Sequence, residues 1–153
     1  MKTGTTSAGL RLLFLMVLAV SVSSARAGGR QETLEAIHHV ENPFDSPRPG
    51  RCGELGAYQF RESTWRMHTR RPFAHALDRR ASDEVAVAHY EWLRRGFERH
   101  GREATSYNIA LAWNAGLAAV LRGKAPSSSH DYAVRVTAIA DELSQRSVAM
   151  ADR

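Results

Sequence analysis

The chain has 153 residues, 21 basic and 16 acidic side chains, a formal charge of +5 and one cysteine. A single cysteine excludes an intramolecular disulfide, so the fold must rest on its core alone. The positive charge favours an anionic partner, cell-wall polymer or nucleic acid, without selecting between them; the small charge left once an export leader is removed, and the leader itself, argue against nucleic acid as a partner.

Lys2 and Arg11 precede an uninterrupted apolar run from Leu12 to Val20, and Ala25-Arg26-Ala27 follows as a small-x-small site. This is the grammar of a signal peptide over residues 1–27, predicting export to the periplasm or the extracellular space. The run is far shorter than the roughly 20 residues that cross a bilayer, so no stable membrane span is expected after cleavage. Lys2, Arg11 and Arg26 leave with the leader, and 18 basic against 16 acidic residues remain, a net +2 for residues 28–153.

Residues 31–41 read as a first helix. Leu34, Ile37 and Glu41 fall at i, i+3 and i+7 on one face, and Pro43 disfavours helical backbone at Asn42. The stripe therefore starts apolar and ends in a carboxylate where the chain leaves the helix, a position from which Glu41 can look into a cleft. Pro43, Pro47, Pro49, Gly50 and Gly53 make a long loop, in which Cys52 is expected to be a small buried hydrophobe. Ser63 to His68 begins a short helix. Ser82 is the expected N-cap of the next, with Asp83 and Glu84 in its first turn and Val85, Ala88, His89, Trp92, Leu93 and Phe97 forming an amphipathic stripe closed by Gly101. His89 within that stripe reads as a core histidine. A helix over 106–115 places Tyr107, Ala110, Leu111 and Asn114 on one face, so the Asn114 amide needs a partner there. Gly116 permits a bend before Leu117 to Leu121. After a loop from Gly123 to Ser129, Asp131 caps a last helix with Tyr132, Val136, Ile139 and Leu143 on one face, fraying beyond Arg146. No strand stands out, so the expected class is all-α, or an α-dominated α+β fold, with its core over about 31–143.

The polar residues on apolar faces are Glu41, Gln59, Asn114 and Tyr132, with Tyr58 and Trp113 beside them. In this order they resemble the catalytic domain of the soluble lytic transglycosylases, a lysozyme-like family. Glu41-Asn42 resembles the family's helix ending in Glu-Ser. Gly53-Glu54-Leu55-Gly56-Ala57-Tyr58-Gln59, followed by Thr64, resembles its G-A-x-G-L-M-Q segment. Ala110-Leu111-Ala112-Trp113-Asn114-Ala115-Gly116 resembles its A-L-A-x-Y-N-A-G, with Trp for Tyr and one residue fewer. Tyr132-Ala133-Val134-Arg135-Val136 resembles the Tyr that opens its last helix.

The resemblance implies a compact lysozyme-like helical domain with a central cleft, and cleavage of the β-1,4 bond between N-acetylmuramic acid and N-acetylglucosamine in peptidoglycan glycan strands. Glu41 is the implied general acid, its pKa raised by a partly apolar setting. Asp45, Glu54 and Glu62 are near in sequence, but none lies on a pattern aimed at Glu41, and the usual scheme asks for a second carboxylate. The resemblance implies instead that the substrate's own N-acetyl group assists and that Glu41 then acts as base, giving a 1,6-anhydro product. Gln59 and Asn114 are the implied holders of N-acetyl and hydroxyl groups, Tyr132 lies near Glu41 or the sugar, and Tyr58 and Trp113 offer faces for sugar rings. The other readings are a peptidoglycan-binding module with impaired catalysis on the same fold, and a hydrolysing lysozyme. No cofactor is implied, and no metal site is expected: His38 and His39 are adjacent rather than one turn apart, and no His-Glu-x-x-His occurs.

Overall fold

The computed structural model describes residues 29–151; the signal peptide read over residues 1–27 lies outside them. The fold is all-α. Among the described residues six helices follow in order: α1 over 29–41, α2 Glu62–His68, α3 Arg79–Arg99, α4 Ser106–Ala115, α5 Leu117–Leu121 and α6 Ser127–Ala151, with a 3-10 turn at Phe73–Leu77. Among the described residues the only extended pairing is the isolated antiparallel bridge Leu55–Phe60. No helix there is long and apolar enough to cross a membrane.

The stripe read on α1 faces inward, with Thr33, Leu34 and Ile37 buried, and the Thr33 hydroxyl meets that of Ser106 on α4 at 2.8 Å. α3 contributes Val85, Ala86, His89, Leu93 and Phe97 to the buried interior. α4 packs along α6, and α5 turns back toward α3. Trp65 from α2 is fully buried between Phe60 and Phe73, and its indole N–H donates to the Arg71 carbonyl at 2.9 Å.

Two helix starts differ from expectation. α3 begins at Arg79, because the 3-10 turn delivers Asp78 to the N-cap, where its carboxylate accepts from the Ala81 amide at 2.7 Å. Ser82 is thereby a buried helical residue. Asp83 and Glu84 instead sit one turn beyond Arg79 and Arg80 and pair with them at 2.9 and 3.6 Å. α6 begins at Ser127, after Pro126, whose carbonyl accepts from the Ser129 and His130 amides. Asp131 is thus inside the helix, and Ser129 lies in the first turn. At the other end α6 runs on to Ala151, because residues 141–151 contain neither Gly nor Pro and Arg146 pairs with Glu142 at 2.5 Å. α3 closes as read: Gly101 is left-handed at φ +64, and the Gly101 and Arg102 amides return to the Glu98 and Phe97 carbonyls.

The segment between α1 and α2 is held by Asn42. Its amide donates to the Ser46 and Gly56 carbonyls at 3.0 and 3.2 Å, while its oxygen accepts from the Ser46 amide. Gly56 is itself obligatory. Its φ is +79, and a Cβ there would strike the carbonyl of Ala76 in the 3-10 turn.

Candidate active site

α1 ends at Glu41, as Pro43 predicts, and delivers its carboxyl to a cavity of about 520 Å³. Four segments wall this cavity: Gly50, Arg51 and Glu54 of the long loop; Gln59, Phe60, Arg61, Ser63 and Thr64 around the start of α2; His89 of α3; and Trp113 to Gly116 at the end of α4. The Glu41 carboxyl is raised from 4.5 to about 7. Burial is the main cause, opposed by the Tyr132 hydroxyl and Arg135 and reinforced by the negative charge of Glu54. Its place at the C-terminus of a helix, the negative end of the helix dipole, works in the same direction.

Tyr132 is buried on α6 beside this carboxyl. Burial first, and Glu41 second, hold its phenol well above its ordinary range. Its hydroxyl lies close enough to draw the Glu41 pKa down, yet it has no partner of full hydrogen-bond geometry. A buried hydroxyl left in that state is costly in a packed interior. It is the kind of group that a carboxyl changing its protonation can engage.

Gln59 and Asn114 flank the carboxyl with fixed amides. Gln59 has left-handed backbone at φ +46, closing the turn between Leu55 and Phe60, and its Nε2 donates to the Gly56 carbonyl at 3.1 Å. A Cβ on Gly50 would lie 2.7 Å from the Gln59 side-chain oxygen and 2.6 Å from Glu54 Oε2, so a glycine is what lets these two polar ends stand on the wall. Asn114 Oδ1 accepts from the Ser129 hydroxyl at 2.7 Å, which leaves its NH2 to donate into the cavity. The early start of α6 is what brings Ser129 to it. An acceptor on one wall and a donor on another match the N–H and C=O of an acetamido group.

The cavity thus brings together Glu41, Gln59, Trp113 and Asn114, with Tyr132 behind Glu41. It does not include Tyr58. That residue is 3 % exposed, tilted against His38, Phe60 and Trp113, and its hydroxyl donates to Asp83 at 2.7 Å. Ala57, Tyr58 and Phe60 enter the core, while Gln59, with left-handed backbone, turns its side chain to the cavity. Tyr58 offers no face to a sugar; it props Trp113 from behind. Cys52 is also misplaced by the sequence reading. It is exposed in the turn before Gly53, where surface backbone leaves nothing to bury it, and its amide donates to Glu54.

Glu54 is the residue that sequence reasoning passed over. Its Oε2 accepts from the Cys52 amide at 2.9 Å and its Oε1 lies 3.4 Å from Arg61 Nε, and these contacts hold its pKa below the usual carboxylate range. One cavity therefore contains a carboxyl kept protonated near neutrality and a second kept ionised. The flanking Gly50, Gly53 and Gly56 are the local signal for a turn that aims Glu54 inward. Compared with known proteins, the chain matches no family model, no curated protein and no solved structure.

Proposed function

We propose that this protein is an exported peptidoglycan-cleaving enzyme of the lytic transglycosylase kind on a lysozyme-like domain. Its substrate is the β-1,4 bond between N-acetylmuramic acid and N-acetylglucosamine. The observation that carries the reading is Glu41, a carboxyl raised to about 7 on the wall of an open cavity whose amides present one fixed acceptor and one fixed donor. Trp113 adds an aromatic surface against which a sugar ring packs, and Arg51 on the wall suits the carboxylates of peptidoglycan stems.

The chemistry follows from that carboxyl. Glu41 gives its proton to the glycosidic oxygen as the bond to C1 breaks. The carbonyl oxygen of the neighbouring N-acetyl group closes on C1, held by Asn114 and Gln59. Glu41, now a carboxylate, takes the proton of the C6 hydroxyl, whose oxygen displaces the N-acetyl oxygen to give the 1,6-anhydro ring. Glu41 ends protonated, ready for the next strand. Ring closure competes with water because the attacking hydroxyl belongs to the same sugar.

A second reading rests on Glu54. An ionised carboxylate in the same cavity suits a reaction in which water, not the C6 hydroxyl, attacks C1. Mass spectrometry of peptidoglycan digested by the protein separates the two, since anhydro fragments are one water lighter than hydrolysed ones. Light fragments support the first reading, and their replacement by hydrolysed ends supports the second. Binding to peptidoglycan without release of soluble fragments would establish a non-catalytic wall-binding module and overturn both.

A further inference from the structure

At the wall of the cavity formed by Phe60, Ser63, Thr64, His89 and Trp113, one group has no assigned task. His89 is 7 % exposed, deep in α3, and three neighbours fix its ring. It stacks on Trp92 at 5.6 Å and 11°, its edge meets Trp113 at 4.8 Å and 70°, and its Nδ1 lies 3.0 Å from Nε2 of His68. One proton shared between those two nitrogens satisfies both. The second nitrogen of the ring, Nε2, bonds to no described residue. It is also not sealed: the enclosed unpartnered side-chain atoms among the described residues are Glu32 Oε2, Ser82 Oγ and Tyr132 Oη. A rigid, buried imidazole that lines a cavity and keeps one open nitrogen is built to meet a ligand there.

We propose that His89 Nε2 binds a sugar hydroxyl, and that Ser63, Thr64, His89 and Trp113 form a binding subsite for one N-acetylhexosamine ring of the strand cut at Glu41. The proposal rests on the peptidoglycan-cleaving reading and adds to it the residue that reads the neighbouring sugar. A hydroxyl is the suitable partner because it can donate or accept, so it pairs with Nε2 whichever way the His68–His89 proton lies. The half-buried Trp113 ring supplies apolar surface for the sugar's C–H face, and Ser63 and Thr64 supply further hydroxyls. Proton transfer is not the role of His89. Burial first, and His68 second, lower its pKa to about 3, so it is neutral across the range near pH 7 in which Glu41 gives up its proton. A neutral ring also has no charge with which to select an anion.

The test is ¹⁵N NMR of the histidine rings in the Glu41→Gln protein, titrated with the tetramer of N-acetylglucosamine, with the Trp113 indole followed alongside. The His89 Nε2 resonance is expected to move with the Trp113 indole, while those of the exposed His39 and His100 stay in place. His89→Phe, which keeps the packing but removes the nitrogen, is expected to raise KM about tenfold with kcat nearly unchanged. His89→Gln, which restores a hydrogen-bonding group, is expected to recover part of that loss. A Trp113 response with a still His89 resonance overturns the subsite and leaves the cleavage reading standing. A protein that neither binds the tetramer nor cuts peptidoglycan overturns the cleavage reading and the subsite with it.

Discussion

A second cavity, of about 650 Å³, lies between the start of the described part of α1, the side of α3 from Tyr90 to Glu98 and the chain from Arg102 leading into α4; it is larger than the 520 Å³ cavity that holds Glu41. Most of its charged side chains answer one another or the backbone. Arg30 meets Glu91 at 3.1 Å, Arg94 meets Glu91 at 2.7 Å and Glu98 at 2.5 Å, and Arg102 donates to the Val120 and Leu121 carbonyls. Burial alone would raise the Glu91 carboxyl, but Arg94 and Arg30 outweigh it and hold it low. In the smaller cavity the balance is reversed. Glu41 has its charged form disfavoured, Asn114 and His89 each keep an open polar group, and the enclosed Tyr132 hydroxyl behind Glu41 lacks a full partner. Volume is therefore not what sets the candidate site apart. What distinguishes the candidate site is polar capacity facing an open cavity that the protein's own groups leave unused.

The largest expected effect separates the two cavities by activity. Glu41→Gln keeps size and hydrogen bonding but cannot give up a proton, and release of soluble fragments from peptidoglycan is expected to fall by about 1,000-fold or more. Glu98→Gln in the paired cavity is expected to leave that rate unchanged. Equal losses from both substitutions would erase the distinction.

Stability gives the next contrast, and its sign is fixed by the direction of the Glu41 shift. The folded state holds this proton up to about pH 7, whereas the unfolded chain releases it near 4.5. Relative to a neutral side chain, the native protein is therefore at no disadvantage below pH 4.5 and loses stability as pH rises through 7. Denaturation of Glu41→Gln and the unaltered protein is expected to diverge across that window, the variant becoming the more stable by up to about 3 kcal/mol. A difference that stays flat from pH 4 to 8 would show that Glu41 is not buried as a neutral acid.

These contrasts also explain what could be read from the sequence. The helices and the position of Glu41 are local matters: an i, i+3, i+7 stripe and a proline two residues after its end suffice. The all-α class follows from the same periodicity. Tyr58, Cys52, Glu54 and His89 are not local. Whether the Tyr58 ring faces cavity or core depends on the sense of a four-residue turn whose last member, Gln59, has left-handed backbone that its residue type does not announce. Glu54 becomes a site residue only because the loop folds its backbone onto Gly50. His89 does lie on the buried stripe, as its spacing requires, but its open nitrogen is set by the distant His68. The helix starts were missed for a similar reason, since Ser82 and Asp131 have the right chemistry for caps and the turns before them deliver Asp78 and Pro126 instead.

A smaller effect sharpens the description of Glu41 itself. Tyr132→Phe removes the hydroxyl that draws its pKa down, so the high-pH limb of the activity profile is expected to move to higher pH. The rate at neutral pH is expected to fall about tenfold if that hydroxyl steadies the carboxylate formed after proton transfer. Stability is expected to change by less than about 1 kcal/mol, because the group removed has no complete hydrogen bond to lose. A limb that moves down instead would mean that the hydroxyl does not face the carboxyl.

The smallest effect belongs to the paired cavity, and its smallness is the point. The Arg94 side chain is 37 % exposed, and its partners Glu91 and Glu98 are 24 % and 50 % exposed. Water and salt already screen such pairs, so Arg94→Ala is expected to cost only about 1 kcal/mol in chemical denaturation. Raising the ionic strength to about 1 M shortens the screening length to about 3 Å and should remove most of that difference. The same salt should leave the pH dependence of the Glu41→Gln comparison largely in place, because burial, not a neighbouring charge, is the main cause of that shift. If both differences vanished together in salt, Glu41 would be perturbed by charges at the surface, and the contrast between a cavity that answers its own charges and one that waits for a ligand would have no basis.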